Sequence, residues 1–217
     1  MIRITTGSRL HFGLFHLPGE GVEYWPDRTG TPILPARRFG GVGLMVDEPG
    51  IQLTATPASE WSAVGPLGPR ALSFARRYAE STEEATTPCR MVLHRSAPEH
   101  SGLGTGTQLG LAVARALAEI SGSTRTEASD LALRTGRGAR SALGVHGFAQ
   151  GGFLVEAGQR QPGLISPLVI RVEFPVDWRI VLILPRAVIG LSGRAEHEAF
   201  KFLLQYVECA GIKERPA

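Results

Sequence analysis

Residues 98–120 read PEHSGLGTGTQLGLAVARALAEI. A proline is followed by three glycines at alternate positions, Gly102, Gly104 and Gly106, and then by an apolar helical repeat on Leu109, Val113, Ala116, Leu117 and Ile120. Glycine removes side chains where a ligand must come close to the backbone. Thr105 and Gln108 stand at capping-box spacing, which predicts Thr105 as the N-cap and a helix beginning near Gly106. The first N–H groups of that helix have no intrahelical acceptor and carry the positive end of the helix dipole. An anion, most commonly phosphate, is the occupant such a start selects. The loop departs from the two familiar phosphate loops: no lysine follows the last glycine, and the third glycine falls one residue early for a dinucleotide fingerprint. The competing reading is a tightly packed connection that binds nothing.

Working outward, the alternation of Ile2, Ile4 and Thr6 predicts a strand, and RLHFGLFHL (9–17) a second one, bent at Gly13. Residues 18–41, rich in Gly, Pro and Arg, read as a long loop. GVGLMVDEPGIQLTAT (41–56) reads as two strands around a turn at Glu48-Pro49-Gly50. Leu67, Ala71, Phe74, Ala75 and Tyr78 follow helical spacing, and CRMVLH (89–94) is a short strand leading toward the glycine loop. Thr124 and Glu127 form a second capping-box pattern. GGFLVEAG, LVIRVEF and RIVLIL predict three further strands, and a last helix is predicted from about Ala195 to Glu208. The apolar face of that helix needs a partner. The mixture of paired strands and helices gives an α+β class.

With 217 residues, 43% hydrophobic and 20% charged, the chain has the composition of a globular domain, and its net charge of +3 is too small to argue for nucleic acid. Cys89 and Cys209 are far apart and without a CxxC, so neither a disulfide framework nor a zinc site is expected, and both read as buried thiols. The alternating N-terminus is not a signal peptide, and no apolar run is long enough to span a bilayer. A cytoplasmic enzyme or binding protein is the default expectation.

From Leu131 to Val155 there is no Asp or Glu, while Arg134, Arg137, Arg140 and His146 occur there. Arginine suits phosphate through its bidentate fork, and Arg140 stands in a Gly/Ser/Ala loop that offers few other reasons for a charge. His11, beside Arg9, and His100, just ahead of the glycines, rise above the structural reading that fits His16, His94, His146 and His197. The segment AEHEA (195–199) lacks the spacing that puts two histidines on one zinc-binding helix face.

Four segments together carry a family resemblance: SRLHFGL (8–14), RRFGGVGLMV (37–46), GLGTGTQLGLA (102–112) and GGFLVEAG (151–158). The glycine loop resembles the phosphate-binding motif of the GHMP kinase superfamily, whose usual form is Gly-Leu-Gly-Ser-Ser and a helix. More narrowly, the set is similar to the beta-ribofuranosylaminobenzene 5'-phosphate synthases, with Gly-Thr-Gln in place of the serine pair. The resemblance implies an N-terminal α+β domain similar to ribosomal protein S5 domain 2 over residues 1–185. Residues 186–217 would be only the beginning of a ferredoxin-like C-terminal domain, whose glycine-rich motif is absent, so the chain reads as truncated.

The implied reaction joins 5-phosphoribosyl 1-pyrophosphate to 4-aminobenzoate or 4-hydroxybenzoate, releasing CO2 and pyrophosphate, on the way to tetrahydromethanopterin. Arg9, His11 and Arg140 are the expected catalytic contacts to phosphate or carboxylate. His100, Gly102, Leu103, Gly104, Thr105, Gly106, Thr107 and Gln108 are the expected substrate-binding residues. No organic cofactor and no dedicated metal site are expected, with Mg2+ travelling on the sugar pyrophosphate. Partners are small molecules and not nucleic acid or membrane, with a homodimer left open. An ATP-dependent kinase is the alternative. Against it, Gly106 stands where a kinase serine would be, and no acid precedes Gly151-Gly152. A non-catalytic sugar-phosphate-binding module is the third reading.

Overall fold

The computed structural model describes residues 1–17, 37–184 and 198–199. Among these residues, six strands and four helices follow one another as β1 (Ile2–Leu17), β2 (Arg37–Pro57), β3 (Ser62–Val64), α1 (Gly68–Glu80), β4 (Cys89–Arg95), α2 (Thr105–Ile120), α3 (Ala128–Arg134), α4 (Leu143–Gln150), β5 (Phe153–Glu156) and β6 (Leu168–Val172). They form one mixed sheet backed by helices, the α+β class expected.

The long strand β2 organises the sheet. One edge pairs antiparallel with β1 from Arg37 to Ala55. The other edge is shared: residues 52–57 pair with β4, and residues 41–44 pair with β5. β3 joins the outside of β4 in parallel, and β6 the outside of β5. Leu53 stands opposite Leu93, and Ala55 opposite Met91, all fully or almost fully buried. They form the sheet side of a core completed by Ala71, Phe74, Ala75 and Tyr78 of α1 and by Leu109, Leu111, Val113 and Leu117 of α2. Each such Leu contributes about 1.5–3 kcal/mol by leaving water.

Several expectations are corrected. The two N-terminal strands are one, β1, with register shifts near Gly7, Gly13 and His16. Glu48-Pro49-Gly50 is not a hairpin turn. Both flanks pair with β1, Thr6 with Ile51 and Ser8 with Val46, so residues 47–50 bulge out of a continuous strand opposite Gly7. The bulge is tied down by Ser8 Oγ donating to the Pro49 carbonyl. The loop expected over 18–41 gives up residues 37–41 to β2, and its residues 18–36 lie outside the described ones. β3 and α4 were not predicted. RIVLIL forms no strand. The helix predicted from Ala195 to Glu208 lies outside the described residues, apart from helical Glu198 and Ala199.

Neither capping box forms. α2 starts one residue early, with Gly104 as a left-handed N-cap at φ 70°. Thr105 instead donates its hydroxyl to the Pro98 carbonyl at 2.8 Å. α3 begins at Ala128 after an N-cap Glu127 that makes no side-chain bond. α2 is also buried nearly all round, from Gln108 to Ala114 and from Ala116 to Ala118. Gly110, Ala112, Ala114, Ala116 and Ala118 leave room for the sheet and for α1, α3 and α4 on its several sides. Cys89 is a free, fully buried thiol, pushed up to about 11 by desolvation and therefore unreactive. Cys209 lies outside the described residues.

A candidate anion-binding site at the start of α2

Among the described residues, β1 pairs with β2 along one edge only. Its other edge receives the glycine loop: the Arg9 N–H donates to the Leu103 carbonyl at 2.9 Å. The loop is further braced by the hydroxyls of Ser101 and Thr105, both donating to the Pro98 carbonyl at 2.9 and 2.8 Å. His100 and Gly102 take positive φ, 55° and 80°, and turn the chain into the helix. The Thr107 and Gln108 N–H groups close back on the Gly104 carbonyl at 2.9 and 3.1 Å. The N–H groups ahead of them are left to face outward at the positive end of α2.

Two guanidinium groups lie on this helix start, and glycine makes room for both. A Cβ on Gly104 would stand 3.2 Å from Arg9 Nε and 3.3 Å from Arg9 Cβ. A Cβ on Gly106 would stand 2.4 Å from Arg70 Nη2. Arg70 belongs to the first turn of α1. Its Nη1 is ion-paired with Glu99 of the loop, and its Cζ sits 5.9 Å from the Phe74 ring centroid. With both partners about a third exposed (30% and 32%), the pair contributes at most about 1 kcal/mol.

His11 follows Arg9 two residues along β1, on the same side of the strand. Its Nδ1 accepts from the Gly13 N–H at 3.2 Å, so the neutral ring carries its proton on Nε2. Nε2 is buried without a partner. Desolvation, then the Arg9 charge, lowers the His11 pKa from 6.5 to about 4. At neutral pH His11 is therefore an uncharged N–H donor.

The ring faces Gly41, where a Cβ would meet His11 Nε2 at 3.2 Å and Glu156 Oε1 at 3.3 Å. Glu156 is fully buried and accepts from Ser141 Oγ at 2.5 Å and from the Ala142 N–H at 2.6 Å. Desolvation raises its pKa, opposed by those hydrogen bonds, one from Ser166, and the His146 charge. Glu156 thus holds the turn that carries Arg140 and leads into α4. The first turn of α4 lies on α2: Gln108 Nε2 donates to the Gly144 carbonyl at 2.8 Å.

The structure therefore brings Arg9, His11 and the glycine loop together. Arg140 sits in the turn held by Glu156, its carbonyl accepting from Gln159 at 3.2 Å. Leu103, Thr105 and Gln108 have buried side chains (3%, 4% and 0% exposed) that build the loop. Arg134 and Arg137 stack on Tyr78 and Phe74 with Cζ 5.3 and 4.7 Å from the ring centroids. Arg70, Glu99 and Glu156 were missed in the sequence. Among the described residues there is no cluster of three His, Cys, Asp or Glu that could hold a metal, and no helix long and apolar enough to cross a membrane.

Residues 70–152 match the family described as GHMP kinases N terminal domain, which spans α1 to the start of β5. The chain is similar to two proteins named beta-ribofuranosylphenol 5'-phosphate synthase. One, from Methanothermobacter thermautotrophicus, is 33% identical over 91% of this chain and 62% of its own length. The other, from Archaeoglobus fulgidus, is 31% identical over 93% of this chain and 62% of its own length. The chain thus spans under two thirds of the length of these relatives. Among solved structures, a 4-(cytidine 5'-diphospho)-2C-methyl-D-erythritol kinase is similar with a TM-score of 0.49 and 19% identity, over 74% of this chain and 55% of that one. The mevalonate kinase of Methanococcus jannaschii gives a TM-score of 0.49 and 12% identity, over 74% and 54%.

Proposed function

We propose that this chain binds 5-phosphoribosyl 1-pyrophosphate at the start of α2 and serves the condensation named by its relatives, the formation of a beta-ribofuranosylphenol 5'-phosphate. A phenol C-riboside is what 4-hydroxybenzoate yields when its carboxylate is replaced by ribose, so 4-hydroxybenzoate is the acceptor ahead of 4-aminobenzoate. The observation that carries the reading is the pair of guanidinium groups, Arg9 over Gly104 and Arg70 over Gly106, on a helix start that offers its backbone N–H groups.

In this reaction the bond from ribose C1 to pyrophosphate breaks, and the pyrophosphate keeps the electron pair. The ring carbon bearing the carboxylate, made electron-rich by the para hydroxyl, forms the new bond to C1. The ring–carboxylate bond then breaks, CO2 leaves, and its electron pair restores the aromatic ring. Stabilisation of the charge growing on the leaving pyrophosphate falls to Arg9, Arg70 and the N–H groups of the loop. His11, neutral at working pH, supplies an N–H donor to the sugar phosphate or the carboxylate. Arg140, in the turn held by Glu156, supplies a third cation. Mg2+ arrives with the pyrophosphate, no organic cofactor takes part, and the protein works in the cytoplasm.

The test is incubation of the chain with 5-phosphoribosyl 1-pyrophosphate and carboxyl-labelled 4-hydroxybenzoate. Release of labelled CO2 with one equivalent of pyrophosphate is the expected result. ADP formation from ATP with a small alcohol would instead establish the kinase alternative. Tight binding of the sugar pyrophosphate without CO2 release would make the chain a binding module.

A further inference from the structure

A carboxylate stands beside the site in which an anion is to bind. Glu99 pairs with Nη1 of Arg70, while Nη2 of the same guanidinium lies over Gly106. Glu99 is not loosely placed. The carbonyl of Pro98, the residue before it, accepts two hydroxyl hydrogen bonds, and His100, the residue after it, is turned to φ 55°. The two braces hold the acid at the loop, where it both repels an anion and occupies a donor that the anion needs.

We infer that Arg70 exchanges between Glu99 and the bound anion, and that Glu99 is an internal competitor that promotes release of pyrophosphate. The inference rests on the loop being the anion site proposed above. With the site empty, Glu99 neutralises Arg70. With the site filled, Arg70 turns its donors to the anion while its guanidinium stays beside the Phe74 ring. The pair is about one-third exposed on each side, weak enough for this exchange. Glu99 then recaptures Arg70 as the anion leaves. Binding therefore carries a fixed penalty, and pyrophosphate leaves faster than it would without the acid.

The experiment is titration calorimetry of the full chain with inorganic pyrophosphate at constant pH and ionic strength, with folding of each variant checked by circular dichroism. Glu99→Gln is expected to tighten pyrophosphate about fivefold and to slow its dissociation in stopped flow by a similar factor. Arg70→Gln is expected to weaken it, and in that background Glu99→Gln is expected to give at most half its former gain. An equal gain in both backgrounds would show plain charge repulsion and overturn the exchange, as would no gain at all. Gly104→Val separates the two readings. If it abolishes pyrophosphate binding while Glu99→Gln changes nothing, the loop is the site and the competitor role alone is wrong. If Gly104→Val leaves affinity intact, the loop is not the site and both readings fall.

Discussion

Gly106→Ala separates what the glycine does for folding from what it does for binding. Gly106 lies in the first turn of α2. Alanine there gains helix propensity, at the lower end of about 0.5–1 kcal/mol because the position is close to the helix start. The added methyl meets one group, Arg70 Nη2 at 2.4 Å, which is the far end of a flexible side chain. Arg70 swings away, and the pair with Glu99 loosens at a cost of at most about 1 kcal/mol. The two effects offset, so the midpoint of thermal unfolding should move by no more than about 3 °C. The anion, by contrast, loses a charge-assisted donor pair worth about 1.5–3 kcal/mol, a roughly ten- to hundredfold weakening. Differential scanning calorimetry with and without pyrophosphate reads both quantities on one sample. Destabilisation by more than about 2 kcal/mol would mean that Arg70 packs as a structural element. Unchanged pyrophosphate affinity would mean that its place over the loop has nothing to do with a ligand.

The remaining predictions concern the groups behind the loop. His11, lowered from 6.5 to about 4, binds fewer protons folded than unfolded between those values, so its contribution to stability is complete above pH 6.5 and lost as pH falls toward 4. Proton NMR of its ring should show a midpoint near 4, and a midpoint at 6 or above would refute burial of Nε2; His11→Gln should remove this part of the pH dependence. Glu156 has the opposite sign, since a carboxyl raised by burial binds more protons folded than unfolded and its contribution declines as pH rises. Glu156→Gln should therefore gain on the parent protein in urea-melt stability as pH is raised from 4 to 7. Glu156→Ala, which strands the Ser141 hydroxyl and the Ala142 N–H, should cost about 3 kcal/mol at about pH 4 and less as pH rises.

The parts of the fold that announced themselves in the sequence are those whose burial has a clean period. Ala71, Phe74, Ala75 and Tyr78 carry the inward face of α1, with Leu67 at its N-cap, and CRMVLH carries the alternation of β4. Residues 47–50 did not, because a Pro-Gly pair reads alike in a hairpin turn and in a bulge; only the common partner β1 tells them apart. The capping box at Thr105 and Gln108 failed for a related reason. Both side chains found nonlocal partners, the Pro98 and Gly144 carbonyls, and a left-handed Gly104 took over the helix start. Glu156 was missed but could have been found: alternation in FLVE puts it on the same side as buried Leu154, and an acid on a core-facing position needs donors.

Arg70 could also have been found, by an argument from misfit. It stands in the first turn of α1, where the helix dipole disfavours a cation and where no acid precedes it on the helix. A charge in the wrong place for its own helix is held by something outside that helix. On the same stripe, Phe74 carries the Arg70 guanidinium, and Arg77 ends against Gly136 as Arg70 ends against Gly106. The stripe faces glycines because it delivers arginines across to α2 and to the turn after α3. A glycine-rich segment and a misplaced basic helix start thus form one feature that happens to be split by thirty-odd residues of chain. Reading the loop alone gives a place for an anion; reading the misfit as well gives the cation that meets it and the acid that contests it.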